Sequence, residues 1–234
     1  MATQAAIETI DLGVTPLRDL NQRLHEAARD ASSARRFRVT NPGGAHNVAV
    51  GLEGDLDVEI DGHVGYFCAG MNDGATVRVH GNAGQGLAEN IMAGTVIVNG
   101  SASQAAGATG RGGLVVIHGD ASSRCGISMK GVDIVVRGSI GHMSAFMAQR
   151  GRLVVCGDAG DALGDSIYEA RIYVRGAVRG LGADCIEKEL RDEHAAELRE
   201  LLDASGIDLD VADFRRYGSA RQLYNFNIDN AGSY

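Results

Sequence analysis

Short runs in which apolar and polar residues alternate recur along the middle of the chain at a fixed distance. Residues 76–81 read TVRVHG, residues 95–100 TVIVNG, residues 114–119 LVVIHG and residues 133–138 DIVVRG. Stepping nineteen residues at a time from the closing glycine lands on Gly43, Gly62, Gly81, Gly100, Gly119, Gly138, Gly157 and Gly176 without an insertion. Two positions before the last seven stand Ile60, Val79, Val98, Ile117, Val136, Val155 and Val174. Four positions before stand Val58, Val77, Val96, Val115, Ile134, Leu153 and Ile172. Small residues mark two further columns: Ala83, Ala102, Ala121 and Ala159 two positions after the glycine, and Ala69, Ala88, Gly107, Gly126, Ala145, Gly164 and Ala183 seven positions after. A period of this length, supported by several columns at once, is the mark of a repeat architecture.

Side chains alternate faces along a strand, so the two β-branched columns share one face and predict a buried one. The intervening column is mixed, with Glu59 and Arg78 giving way to Ile97, Val116, Val135 and Val154. That face is expected to meet solvent in places and a cap or partner in others. No repeat has room for an ordinary helix besides its turns. The economical fold is all-β: a right-handed parallel β-helix of about seven turns, one 19-residue repeat per turn, with helical caps at both ends. A left-handed hexapeptide coil would need about eighteen residues per turn in three equal units, and one V-x-V per repeat fits it poorly.

The ends follow from the need to cover open coil. Residues 1–35 are expected to hold a short capping helix, with Thr15 as N-cap, Pro16 as its first residue and Leu17, Leu20, Leu24 and Ala28 on one face. The coil is assigned to residues 36–182, entering at Phe37, Arg38 and Val39. In the remainder, 183–234, Asp184 and Glu187 read as a capping box opening a helix from about 184 to 204, its apolar stripe interrupted by His194 and its stop at Gly206. The tail beyond is rich in arginine and aromatics. Phe214, Arg215, Arg216, Tyr217, Arg221, Tyr224 and Phe226 are candidate contacts with another subunit, since such residues are enriched at interface hot spots; packing on the chain's own coil is the competing reading.

Composition narrows the chemistry. The 234 residues carry a net charge of -8, aromatics are 5% and tryptophan is absent, which argues against a nucleic-acid grip by charge or base stacking. No signal pattern or membrane-length apolar run is visible, so a cytoplasmic location is expected. The four cysteines, Cys68, Cys125, Cys156 and Cys185, form no C-x-x-C. Cys68 and Cys125 share a column three repeats apart, ~14 Å if the turns stack, too far for a disulfide. The triplet Gly81, Gly84, Gly86 lacks the following helix that dinucleotide binding needs. His80 and His118, with Asn99 between them, read as a surface ladder rather than a metal pair, for lack of a third ligand. Asp57, Asp133, Arg152 and Arg171 share a column that could serve a polysaccharide lyase, but Thr76, Thr95 and Leu114 interrupt it.

The segments GGAHNVAVGL, GHVGYFCAGMNDGATVRVHG, GNAGQGLAENIMAGTVIVNG and GDASSRCGISMKGVDIVVRG resemble the GXGXG β-helix domain that closes glutamate synthase large subunits. The resemblance covers about residues 36–182, and Gly81, Gly84 and Gly86 match its glycine pattern best. As a separate chain ending FRRYGSARQLYNF, it is most similar to the free-standing β-helix subunit of N-methylglutamate synthase. A similar domain forms one of the subunits of formylmethanofuran dehydrogenase-like and formyltransferase/hydrolase complexes, which gives the alternative function. In the glutamate synthase family the domain carries no catalytic residue. It sits between a class II glutamine amidotransferase unit and a unit holding FMN and an iron–sulfur cluster. The resemblance therefore implies a noncatalytic subunit of an enzyme complex, without catalytic, cofactor-binding or metal residues of its own. It would position those two partners in a hetero-oligomer for passage of ammonia or methylamine. The chain begins Met1-Ala2-Thr3, without the amidotransferase's terminal cysteine, and no cysteine cluster is visible for an iron–sulfur centre. Partnership with nucleic acid or membrane is not expected.

Overall fold

The computed structural model describes residues 7–30 and 35–222. Eleven strands form one sheet: β1 (Ile7–Asp11), β2 (Arg36–Thr40), β3 (Asp57–Asp61), β4 (Asp73–Val79), β5 (Ala93–Val98), β6 (Leu114–Ile117), β7 (Lys130–Val136), β8 (Arg150–Val155), β9 (Arg171–Val174), β10 (Cys185–Lys188) and β11 (Arg215–Ser219). β1 to β9 run parallel in chain order, and β11 then β10 follow antiparallel. From β3 to β9 the register is the repeat itself: Val79 pairs with Val98, and Val98 with Ile117, each nineteen residues on. A second wall of isolated bridges joins Val64, Ala83, Ala102, Ala121, Ile140, Ala159 and Val178. The chain is thus an all-β parallel solenoid of about seven turns.

The two β-branched columns face inward and have no solvent exposure from Val58 to Val174. Facing them are Cys68, Leu87, Ala106, Cys125 and Leu163 from the opposite wall, with Ile91, Met129 and Ile167 beside them, in one continuous core. The small column also shares a backbone conformation. Ala69, Ala88, Gly107, Gly126, Ala145 and Gly164 all take left-handed backbone, with φ between 52° and 67°. That backbone does not itself demand a small residue, since Phe67, Arg124 and Met143, two positions earlier on their rungs, adopt it with φ between 54° and 60°; the column is small because Ala69, Ala88 and Ala145 are fully buried inside the coil. Ala183 leaves this column; it is exposed because the coil has ended.

Gly81, Gly100, Gly119, Gly138, Gly157 and Gly176 serve a different purpose. None has positive φ; a side-chain carbon on Gly119 would lie 2.7 Å from the Gly100 carbonyl oxygen, and on Gly176 2.4 Å from that of Gly157. Successive glycines are bonded directly, amide to carbonyl, at 2.9–3.0 Å from Gly100 to Gly176. Gly43 does not belong to this stack. The β2–β3 register is twenty-one residues, Val39 opposite Ile60, so the corner of that turn is longer and Asn41 takes the place expected of Gly43.

Helix α1 (Leu17–Arg29) crosses from β1 to β2 and buries Leu20, Leu24 and Ala27 in the core. Its N-cap is Pro16 rather than Thr15, whose amide instead donates to Asp11 in a turn. Asn21 ties the helix to the coil, donating to the Asn47 carbonyl and accepting from the Ala49 amide. At the other end the helix expected from 184 begins later, as α2 (Asp192–Ala204). Residues 185–188 are instead β10, paired with β11, because Asp184 turns the chain with φ 63° and Cys185 buries inward. His194 is near the start of α2, where its Nδ1 accepts the Arg191 amide.

Candidate interaction surface

The outward face of the sheet divides in two. Over its C-terminal half, Val135, Val154 and Tyr173 pack under Leu198, Leu201 and Leu202 of α2 and under Ile207 and Phe214, forming a second core. Val135 and Val154 of the mixed column are therefore covered by the chain itself, whereas Ile97, nearer the N-terminal half, stays half-buried. Tyr173 donates its hydroxyl to Glu197, and burial together with that carboxylate pushes its pKa up. Arg171 meets the other oxygen of Glu197 at 2.5 Å. One rung earlier Arg152 forks onto Asp133, at 2.8 Å through Nε and 2.5 Å through Nη2. Asp133, Arg152 and Arg171, which share one column, thus form ion pairs between rungs and with the helix.

The N-terminal half has no such cover among the described residues. Here Ile7, Arg36, Phe37, Arg38, Asp57, Glu59, Asp61 and His80 line a hollow of about 250 Å³. Its charges are cross-linked: Arg38 to Asp61 at 2.6 Å, Arg78 to Asp57 at 2.5 Å and to Glu59 at 3.3 Å, and Arg36 to Asp57 at 3.5 Å. His80 joins Glu59 through Nε2 and lies 3.0 Å from the Asn99 amide nitrogen through Nδ1. His118 stands one rung beyond Asn99 and is not drawn in. Such a surface can present fixed positive and negative groups to a protein.

A second ladder escaped the sequence reading. In the position just after each corner glycine, a side chain accepts the backbone amide one turn on. His63 accepts from Asn82, Asn82 from Ser101, Ser101 from Asp120, Asp120 from Ser139, Ser139 from Asp158 and Asp158 from Ala177, at 2.7–3.1 Å. The signal lay in residue type: after His63 every accepting member is Asn, Ser or Asp, the short side chains that also cap helices and turns.

All four cysteines are free and buried. Burial pushes the Cys68, Cys125 and Cys185 thiols up to about 12 and Cys156 to about 11, so they stay protonated and unreactive at neutral pH. Among the described residues no group of three or more His, Cys, Asp or Glu is placed to hold a metal ion. No helix is long and apolar enough to cross a membrane among them. Of the candidate tail contacts, Phe214 and Tyr217 are buried within the chain, Tyr217 between β9 and β10. Arg215 and Arg221 remain exposed and Arg216 half-buried, engaged with Gly176, Glu169 and Glu189 respectively. Tyr224 and Phe226 lie outside the described residues.

Fold and surface together define a solenoid protein with a packed interior, whose chemistry is presented on its outer walls. No protein-family model matches the chain. It is 63% identical over 226 residues to Protein GlxC of Rhizobium meliloti (strain 1021), which covers 96% of this chain and 99% of that protein. The chain belongs to the GlxC family.

Proposed function

We propose that this chain is the structural, noncatalytic subunit of a glutamate-synthase-like complex of the N-methylglutamate-forming kind. In this reading it holds a class II glutamine amidotransferase subunit against a subunit that binds FMN and an iron–sulfur cluster. Ammonia or methylamine then passes between two active sites without release to water. One observation carries the reading: the coil's nineteen-residue rungs are bonded on both sides from β3 to β8 and filled by a continuous core. A body of that kind keeps two docked partners at a fixed separation. The near full-length identity to GlxC and the glycine segments shared with the glutamate synthase β-helix domain support the same assignment.

The test is reconstitution from the three subunits. Glutamine-dependent synthesis should need this chain, while amidotransferase and synthase half-reactions should survive its omission. Full coupled activity from the other two alone would refute the role. So would turnover by this chain in isolation.

A further inference from the structure

One corner of the coil carries charge that the described residues leave unsatisfied. On six consecutive rungs it presents Glu53, Asp73, Met92, Arg111, Lys130 and Arg150, all exposed. The ladder ties them together. Glu53 is bridged to Asp73, Asp73 to Ala93 beside Met92, and Lys130 to Arg150. The Met92, Arg111 and Lys130 amides repeat one link, each donating to the previous rung, at 2.8, 2.7 and 2.7 Å. These side chains therefore start ~4.8 Å apart.

Three cations stacked at that spacing repel, and so do two acids. On the sheet's outer face the like problem is solved by pairing, as with Arg78 between Asp57 and Glu59. Here Glu53, Asp73, Arg111, Lys130 and Arg150 have no side-chain ion pair among the described residues. The order of signs is informative. It is antisymmetric about Met92: Asp73 one rung before answers Arg111 one rung after, and Glu53 two rungs before answers Lys130 two rungs after. A two-fold interface requires a patch to complement itself, residue i meeting j and j meeting i. Met92 at the centre is 42% exposed and Met71, two residues before Asp73, 54% exposed, an apolar middle between charged flanks.

We infer that this corner is the contact surface of a two-fold dimer of the chain, the two coils lying antiparallel. Met92 meets Met92 of the second copy on the axis. Asp73 faces Arg111 and Glu53 faces Lys130 across it, and the same pairs recur on the other side. Arg150 extends the basic flank. Because exposed ion pairs are screened by salt, the association is salt-sensitive. The inference is independent of the proposed function, and its test uses this chain alone.

Sedimentation velocity of the full chain should show dimer at about 0.01 M salt and monomer at about 1 M, where screening falls from about 30 Å to about 3 Å. The double substitution Arg111→Glu/Lys130→Glu puts acids at all four paired positions, and Glu53→Lys/Asp73→Arg puts cations at all four. Each variant should be monomeric at low salt. An equimolar mixture of the two should recover a dimer containing one of each, which no folding defect can imitate. A monomeric wild type at low salt, dimerisation by either variant alone, or failure of the mixture to associate would each overturn the inference.

Discussion

Gly119 stands where an added carbon would lie 2.5 Å from Ser101 Oγ and 2.7 Å from the Gly100 carbonyl oxygen. The backbone of the preceding rung cannot withdraw without breaking the Gly119-to-Gly100 hydrogen bond of 2.9 Å. Gly119→Ala should therefore lower stability by about 1–3 kcal/mol, the usual cost of overpacking. Gly43, with φ 55° and its nearest neighbour at 3.9 Å, is a local turn residue. Asparagine tolerates that backbone, so Gly43→Asn should change stability by no more than about 0.5 kcal/mol. Equal urea midpoints for the two variants would count against the stacked-glycine account. In the neighbouring ladder, Asp120→Ala removes the acceptor of the Ser139 amide and should cost about 0.5–1.5 kcal/mol. Seven of the eight ladder glycines were legible with their place, because an unbroken nineteen-residue step is a property of sequence. Gly43 was not, since two extra residues in the first corner leave the glycine spacing intact while moving the strand. The left-handed columns were not visible in residue type, since they hold Phe67, Arg124 and Met143 as well as alanine and glycine; their backbone conformation follows the alternating bonds of that wall, Phe67 to the next rung, Ala69 to the previous one and Met71 to the next.

At the scale of elements, α2 is held by Leu198, Leu201 and Leu202 on the outer face of the sheet, with Leu198 and Leu202 fully covered. Leu202→Ala should destabilise by about 2–5 kcal/mol, and limited proteolysis should then cut within 192–222 before it cuts the coil. His194 adds a pH dependence. Burial first, then the Arg216 charge, holds its pKa below the ordinary value of 6.5. A histidine kept neutral in the fold binds its proton more readily when unfolded, so its contribution is complete above about 6.5 and is lost as pH falls through the lower folded value. The wild type should lose stability on acidification over that window more steeply than His194→Asn. Parallel slopes in thermal melts across that range would contradict the assignment. The three strands missed by sequence, β1, β10 and β11, share a cause. None belongs to the repeat: β1 pairs with β2 at an offset of twenty-nine residues set by the intervening α1, and β11 pairs antiparallel with both β9 and β10. Asp184 and Glu187 mimic a capping box at the sequence level, but pairing with β11 and the inward turn of Cys185 override that local preference.

As a whole, the molecule is a stack whose rungs are joined three ways: strand to strand, glycine to glycine, and side-chain acceptor to amide. Each link is short and local to adjacent rungs, so the stack resists bending while its outer walls remain free to vary. That separation explains why the coil was readable from sequence and its surfaces were not. Inward columns must repeat for the rungs to fit, whereas Arg38, Glu59 and Arg78 on the uncovered wall answer only to their immediate neighbours and to whatever docks there. The proposed role as a spacer between two enzymes needs two docking walls occupied at once. The most direct measurement is the composition of the assembly formed when this chain, the amidotransferase subunit and the FMN/iron–sulfur subunit are mixed, read as mass by multi-angle light scattering. The account predicts a single species containing all three, which dissociates into the separate enzyme subunits when this chain is omitted. Competition between the two enzymes for one surface of the chain, or a stable pair of enzymes formed without it, would contradict it.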